Sequence, residues 1–144
     1  MKGVLAAALL LLATAHAFQD NKPKDGNAAL GQLQKEGDDT YVYLFTHPNG
    51  VNNAAYRQFL SDEFAACPSV IIHYGELSMN DDKYKNFRET TKVEDLKTKH
   101  PNDHNPTIFF MRSGVGEWIH GPLAKTKFKT DFAAICPQSQ GPAP

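Results

Sequence analysis

The chain has 144 residues, of which 41% are hydrophobic, enough for one domain around a single core. Fifteen basic residues against 16 acidic ones leave a formal net charge of −1, which offers no bulk attraction to nucleic acid or an acidic membrane. Beyond residue 17 no segment is apolar enough to cross a bilayer.

In chain order, residues 1–17 read as a secretory signal peptide: Lys2, an apolar run from Val4 to Ala13, then the small-x-small close Ala15-His16-Ala17. Residues 18–37 form a polar lead and a short helix over Asn27–Lys35, with Ala28, Leu30 and Leu33 facing inward. Gly37-Asp38-Asp39 breaks that helix and opens the main domain, residues 38–137. Tyr41–Phe45 lacks alternation, which predicts a strand buried on both faces. After the turn Asn49-Gly50-Val51-Asn52, the spacing of Ala55, Tyr56, Phe59, Leu60 and Phe64 predicts an amphipathic helix from Asn53 to Ala66. Val70–Tyr74 reads as a second buried strand, with His73 as a hydrogen-bonded core residue.

Asn80 is an N-cap candidate with Asp81 and Asp82 in the first turn of a helix running through Tyr84 and Phe87. Lys83, Lys85, Arg88, Lys92, Lys97 and Lys99 are interleaved with Asp81, Asp82, Glu89, Glu94 and Asp95, as on a solvated mixed-charge face. The polar stretch 90–105 holds a short helix near Val93–Leu96. Thr107–Met111 and Glu117–His120 flank Arg112–Gly116 as a β-hairpin, with Trp118 expected against the last helix, Lys125–Ile135. Residues 138–144 read as a disordered polar tail. They lack a Lys-Asp-Glu-Leu-type address, so secretion is the expected location.

Cys67 and Cys136 each end a predicted helix and each precede a proline. In an oxidising compartment such an even pair reads as a structural bridge, closing a long loop and contributing roughly 3–5 kcal/mol. The rival is a pair of reactive thiols, whose spacing matches no exchange motif and neither of which opens a helix. Every Asn-x-Ser/Thr frame fails, Asn105-Pro106-Thr107 through its middle proline, so N-glycosylation is not expected.

The whole reads as an α/β chain with a central mixed sheet, β-α-β-α-β-β-α order and flanking helices. Asn105-Pro106-Thr107-Ile108-Phe109-Phe110 resembles the thioredoxin-fold run in which a cis-proline opens an antiparallel strand. Arg112-Ser113-Gly114 resembles that family's hairpin turn, and Gly121-Pro122-Leu123-Ala124-Lys125 its lead into the final helix. The resemblance covers roughly residues 39–136. It implies a thioredoxin-like fold in which the helix after the 49–52 turn and the C-terminal helix run parallel on one face, bringing Cys67 and Cys136 to the same side. It also places Asn49-Gly50-Val51-Asn52 where the family carries a reactive Cys-x-x-Cys, so the usual dithiol exchange has no thiolate there.

Within that superfamily, Thr46-His47-Pro48-Asn49-Gly50 and Met79-Asn80-Asp81-Asp82-Lys83-Tyr84 resemble the non-catalytic N-terminal domain of Windbeutel-type secretory-pathway chaperones. Such domains act through surfaces, as homodimers or cargo-binding units. The resemblance implies a redox-inactive protein that binds a protein or peptide partner as a chaperone or escort. The groove would comprise His47, Asn49, Gly50, Asn52, Asn105 and Pro106, with no catalytic residue and no cofactor; the alternative is that Pro106 simply fixes the fold as a turn device. A divergent thiol oxidoreductase using Cys67 or Cys136, and a structural component of a secreted matrix, are the alternatives.

Other residues carry weaker chemistry. His100-Pro101-Asn102-Asp103-His104 offers donors for Zn2+ or Cu2+, but without a second cluster it reads as an exposed polar loop, and no metal is assigned. His47 could act as a base, yet no Ser or Cys nucleophile motif stands near it. Tyr41, Tyr43, Tyr56 and Tyr74 read as core or sheet-facing residues.

Overall fold

A computed structural model describes residues 18–35, 37 and 39–137, so the segments read as a signal peptide (1–17) and a polar tail (138–144) lie outside the described residues. The elements are β1 (Phe18–Asp20), α1 (Gly26–Leu33), β2 (Thr40–Thr46), α2 (Asn53–Ala65) and β3 (Ile72–Ser78). A 3-10 turn (Asp82–Tyr84) leads into α3 (Lys85–Thr90) and α4 (Asp95–Lys99). The chain closes with β4 (Thr107–Arg112), β5 (Val115–Ile119) and α5 (Ala124–Ala133).

The strands form one five-stranded sheet in the order β1-β3-β2-β4-β5. β3 runs parallel to β1 and β2, whereas β4 is antiparallel to both β2 and β5. β2 lies at the centre and every one of its residues is buried. Its uniform apolar run follows from that position, because period-two alternation sends successive side chains to opposite cores. Val42 and Leu44 pack with Tyr56, Leu60 and Phe64 of α2 and with Phe128 and Phe132 of α5. Tyr41, Tyr43 and Phe45 join Ala29 of α1, Phe87 of α3, Leu96 of α4 and Phe109 of β4 on the other face. The sheet is thus covered on both sides, as a parallel β-α-β unit requires.

Several expectations are corrected. The residues assigned to a lead include β1, which adds a strand to the sheet edge beside β3, in the register Phe18↔Ile72. β3 begins at Ile72 rather than Val70 and reaches Ser78, because its pairing with β2 continues to Thr46↔Ser78. Asp81, not Asn80, caps the turn before α3, its carboxylate accepting from the Lys83 amide. The helix expected near Val93–Leu96 lies at Asp95–Lys99.

Arg88 is not on a solvated face. It is 1% exposed, its guanidinium donates to the Ser78 and Asp81 carbonyls at 3.1 and 2.8 Å, and its Nε pairs with Glu94. Burial opposes the Glu94 charge, but the Arg88 and Lys97 partners outweigh it and lower that carboxyl's pKa.

The hairpin turn is two residues, Ser113 and Gly114, both at positive φ (54° and 77°), which matches the twist of the flanking strands. Trp118 stands opposite Phe109, on the face away from α5, and is 38% exposed. It therefore does not pack against the last helix. His73 is held by Asp39 at 2.9 Å and Asn21 at 3.2 Å and stacks on Tyr41.

Candidate functional site

The candidate site lies at the end of the sheet where β2 runs into α2. The β2–α2 turn is held from within: the Gly50 amide donates to the His47 carbonyl at 2.9 Å, and the Asn53 side-chain amide donates to the same oxygen at 2.8 Å. The loop before β4 packs directly onto it. A Cβ on Gly50 would stand 2.8 Å from the His104 carbonyl oxygen, so this close approach requires glycine.

A chain of hydrogen bonds crosses from that turn to the far side of the hairpin. The Asn52 amide donates to the Asn105 side-chain oxygen. Asn105 in turn gives its backbone N–H and side-chain amide to Asp103 Oδ1, both at 2.9 Å. Asp103 Oδ2 lies 2.7 Å from His120 Nε2, and His120 Nδ1 lies 2.8 Å from the Thr107 hydroxyl. Because an ionised carboxylate only accepts, the imidazole proton belongs on Nε2 and Nδ1 then accepts the Thr107 hydroxyl. Burial opposes the Asp103 charge, but the Asn105 amides and His120 outweigh it and hold its pKa at about 2.

The peptide bond before Pro106 is trans, as are all those described, which corrects the expected cis-proline. Trans is the lower-energy form of an X–Pro bond, and here the Asp103–Asn105 Asx turn directs the loop. Pro106 itself is buried and lines neither surface depression at this pole. An open one of about 610 Å3 runs between Asn49 and Val51 of the turn and residues 100–105. A smaller one of about 190 Å3 reaches inward past His47 and Lys97 to His120. Val51 is 91% exposed at the rim.

His47 and His104 face each other with ring centroids 5.0 Å apart. Burial, then the neighbouring His104, lowers the His47 pKa. Among the described residues no three His, Cys, Asp or Glu side chains are grouped as a metal ion would need. The expected groove residues His47, Asn49, Gly50, Asn52 and Asn105 are therefore gathered at one place. Asp103, the hub of the network, and His120 were absent from that set.

The sulfur lies elsewhere. Cys67 and Cys136 form a disulfide with a Cα–Cα distance of 5.8 Å, joining the ends of α2 and α5 across 69 residues of sequence. Both cysteines are buried, and no free cysteine is present among the described residues.

Thioredoxin O2 from Arabidopsis thaliana, in its oxidized state, superposes with a TM-score of 0.59 over 84% of this chain and 96% of that one, at 15% sequence identity. The chain has a thioredoxin-like fold. The J-Trx1 fragment of ERdj5 also matches, at 13% identity and a TM-score of 0.47, over 83% of this chain and 52% of that fragment. No protein-family model matches the chain, and no curated protein matches it. In this thioredoxin-like fold the strand-to-helix turn is Asn49–Asn52, and the chain's one cysteine pair is at the opposite end of the helix that follows. Among the described residues no helix is long and apolar enough to cross a membrane.

Proposed function

We propose that this chain is a secreted, redox-silent protein that binds a protein or peptide partner at the 49–52 corner, as a chaperone-like escort. The observation that carries this reading is a corner that keeps a built shape without sulfur. Asn52 and Asn105 are tied across it, while the thiols are bridged at the far end of α2, about 20 Å along the helix. Dithiol exchange needs an accessible thiolate at the reacting edge. The open depression beside Asn49 and Val51 supplies a surface where an extended segment can lie. Secretion is supported by the leader-like residues 1–17 and by a buried disulfide, the bond of an oxidising compartment.

Insulin reduction in the presence of dithiothreitol tests the first part: the rate should stay at the uncatalysed background, and saturable acceleration would overturn redox silence. Expression with the leader intact tests the second. A chain starting after Ala17 should be recovered from the medium, and retention of an unprocessed chain in the cells would contradict secretion.

A further inference from the structure

The walls of the two depressions carry an uneven set of charges. His47 comes from the end of β2, Lys97 and His100 from α4 and its end, His104 from the following loop and His120 from just after β5. Asp103 is the one carboxylate among the lining residues of either depression. Its oxygens are already engaged, Oδ1 by Asn105 and Oδ2 by His120. Glu94 stands behind Lys97 at 3.2 Å and is shared with the buried Arg88. Exposed Val51 and Pro101 add apolar surface beside these groups.

We propose that the joined depressions form a docking groove for an acidic, extended segment of a partner protein, engaged more tightly as the imidazoles take up protons. This rests on the peptide-binding reading above and assigns it a ligand class. An imidazole ordinarily gains its proton near pH 6.5, whereas a glutamate keeps its charge down to about pH 4.3. Over that interval an imidazole can carry a positive charge while an acidic segment is still anionic. In the empty groove His47 resists protonation, through burial and then through His104, Lys97 and His120, with Asp103 acting in the opposite sense. A carboxylate placed near the His47–His104 pair relieves that repulsion, so proton uptake and segment binding favour each other. The apolar rim suits a peptide that alternates acidic and aliphatic residues. The formal net charge of −1 supplies no long-range field for a polyanion such as nucleic acid.

Fluorescence anisotropy with three labelled peptides of equal length, one rich in Glu and Val, one rich in Lys and Val, one of Ser, Ala and Val, decides the matter. The acidic peptide should bind about five- to tenfold more tightly at about pH 5.5 than at about pH 7.5, as two or three part-exposed ion pairs supply. The Lys-rich peptide should not bind at either pH. The double substitution His100→Gln and His104→Gln, at two exposed residues, should remove most of the gain and leave Tm unchanged. Equal binding of the acidic and uncharged peptides, or no change with pH, would overturn the acidic preference while leaving peptide binding in place. Failure of all three peptides to bind would overturn both. A full gain retained by the double variant would overturn the placement of the groove.

Discussion

The Asp103 carboxylate lies 2.7 Å from His120 Nε2, tying the loop before β4 to the residue that follows β5. With its pKa depressed from 3.8 to about 2, Asp103 contributes stability that is complete above about pH 5 and is lost as the pH falls through 2. Its side chain is 30% exposed, so we expect Asp103→Asn to cost about 1–2 kcal/mol at neutral pH. Urea unfolding at about pH 7 and about pH 2 measures this: the gap between wild type and variant should shrink at the lower pH. A gap of the same size at both would show that the ion pair is not its source.

The Cys67–Cys136 bridge closes a loop of 69 residues, for which the chain-entropy model gives about 4 kcal/mol. Cys67→Ser with Cys136→Ser should therefore lower Tm by ~15 °C. Calorimetry checks it. A loss of only a degree or two would mean that the two cores alone set the stability.

Arg88 is buried against two backbone carbonyls and Glu94. Arg88→Met removes one partner of a buried network and should cost about 3–5 kcal/mol, with Arg88→Lys recovering little because an ammonium lacks the planar fork. Denaturant midpoints for the pair of variants provide the test, and a lysine variant as stable as wild type would contradict it.

Asn49 and Asn52 are both exposed and stand at the start of α2. The double substitution Asn49→Cys and Asn52→Cys places two thiols at a helix N-terminus, where the dipole favours a thiolate. With dithiothreitol as reductant the variant should accelerate insulin reduction above the wild-type rate. A folded variant with no gain would show that the turn no longer presents sulfur as a dithiol exchange site must.

The fold was legible where pattern and physics coincide. Tyr41–Phe45 reads as a doubly buried strand because it is one, and α2 is marked by Tyr56, Leu60 and Phe64 on a single face. The site was legible only in its local part. A five-residue loop over Arg112–Gly116 would pair Met111 with Glu117, whereas the two-residue turn at Ser113-Gly114 pairs Met111 with Gly116. That one-residue slip decides that His120 reaches Thr107 and Asp103. Arg88 misled for a related reason: its charge pattern is that of a surface, and only the carbonyls of Ser78 and Asp81 together with the Glu94 carboxylate make its burial tolerable.

By itself the sequence determined the α/β element order from α1 onward, the absence of sulfur from the 49–52 turn, and two cysteines placed at helix ends. These are local facts, carried by periodicity, turn chemistry and residue identity. Tertiary structure alone decided the β1 edge strand and the network from Asn52 through Asp103 to Thr107. Each depends on register or on contacts between segments more than a dozen residues apart in sequence. No window of the chain specifies which backbone groups will be left to be satisfied by a distant side chain.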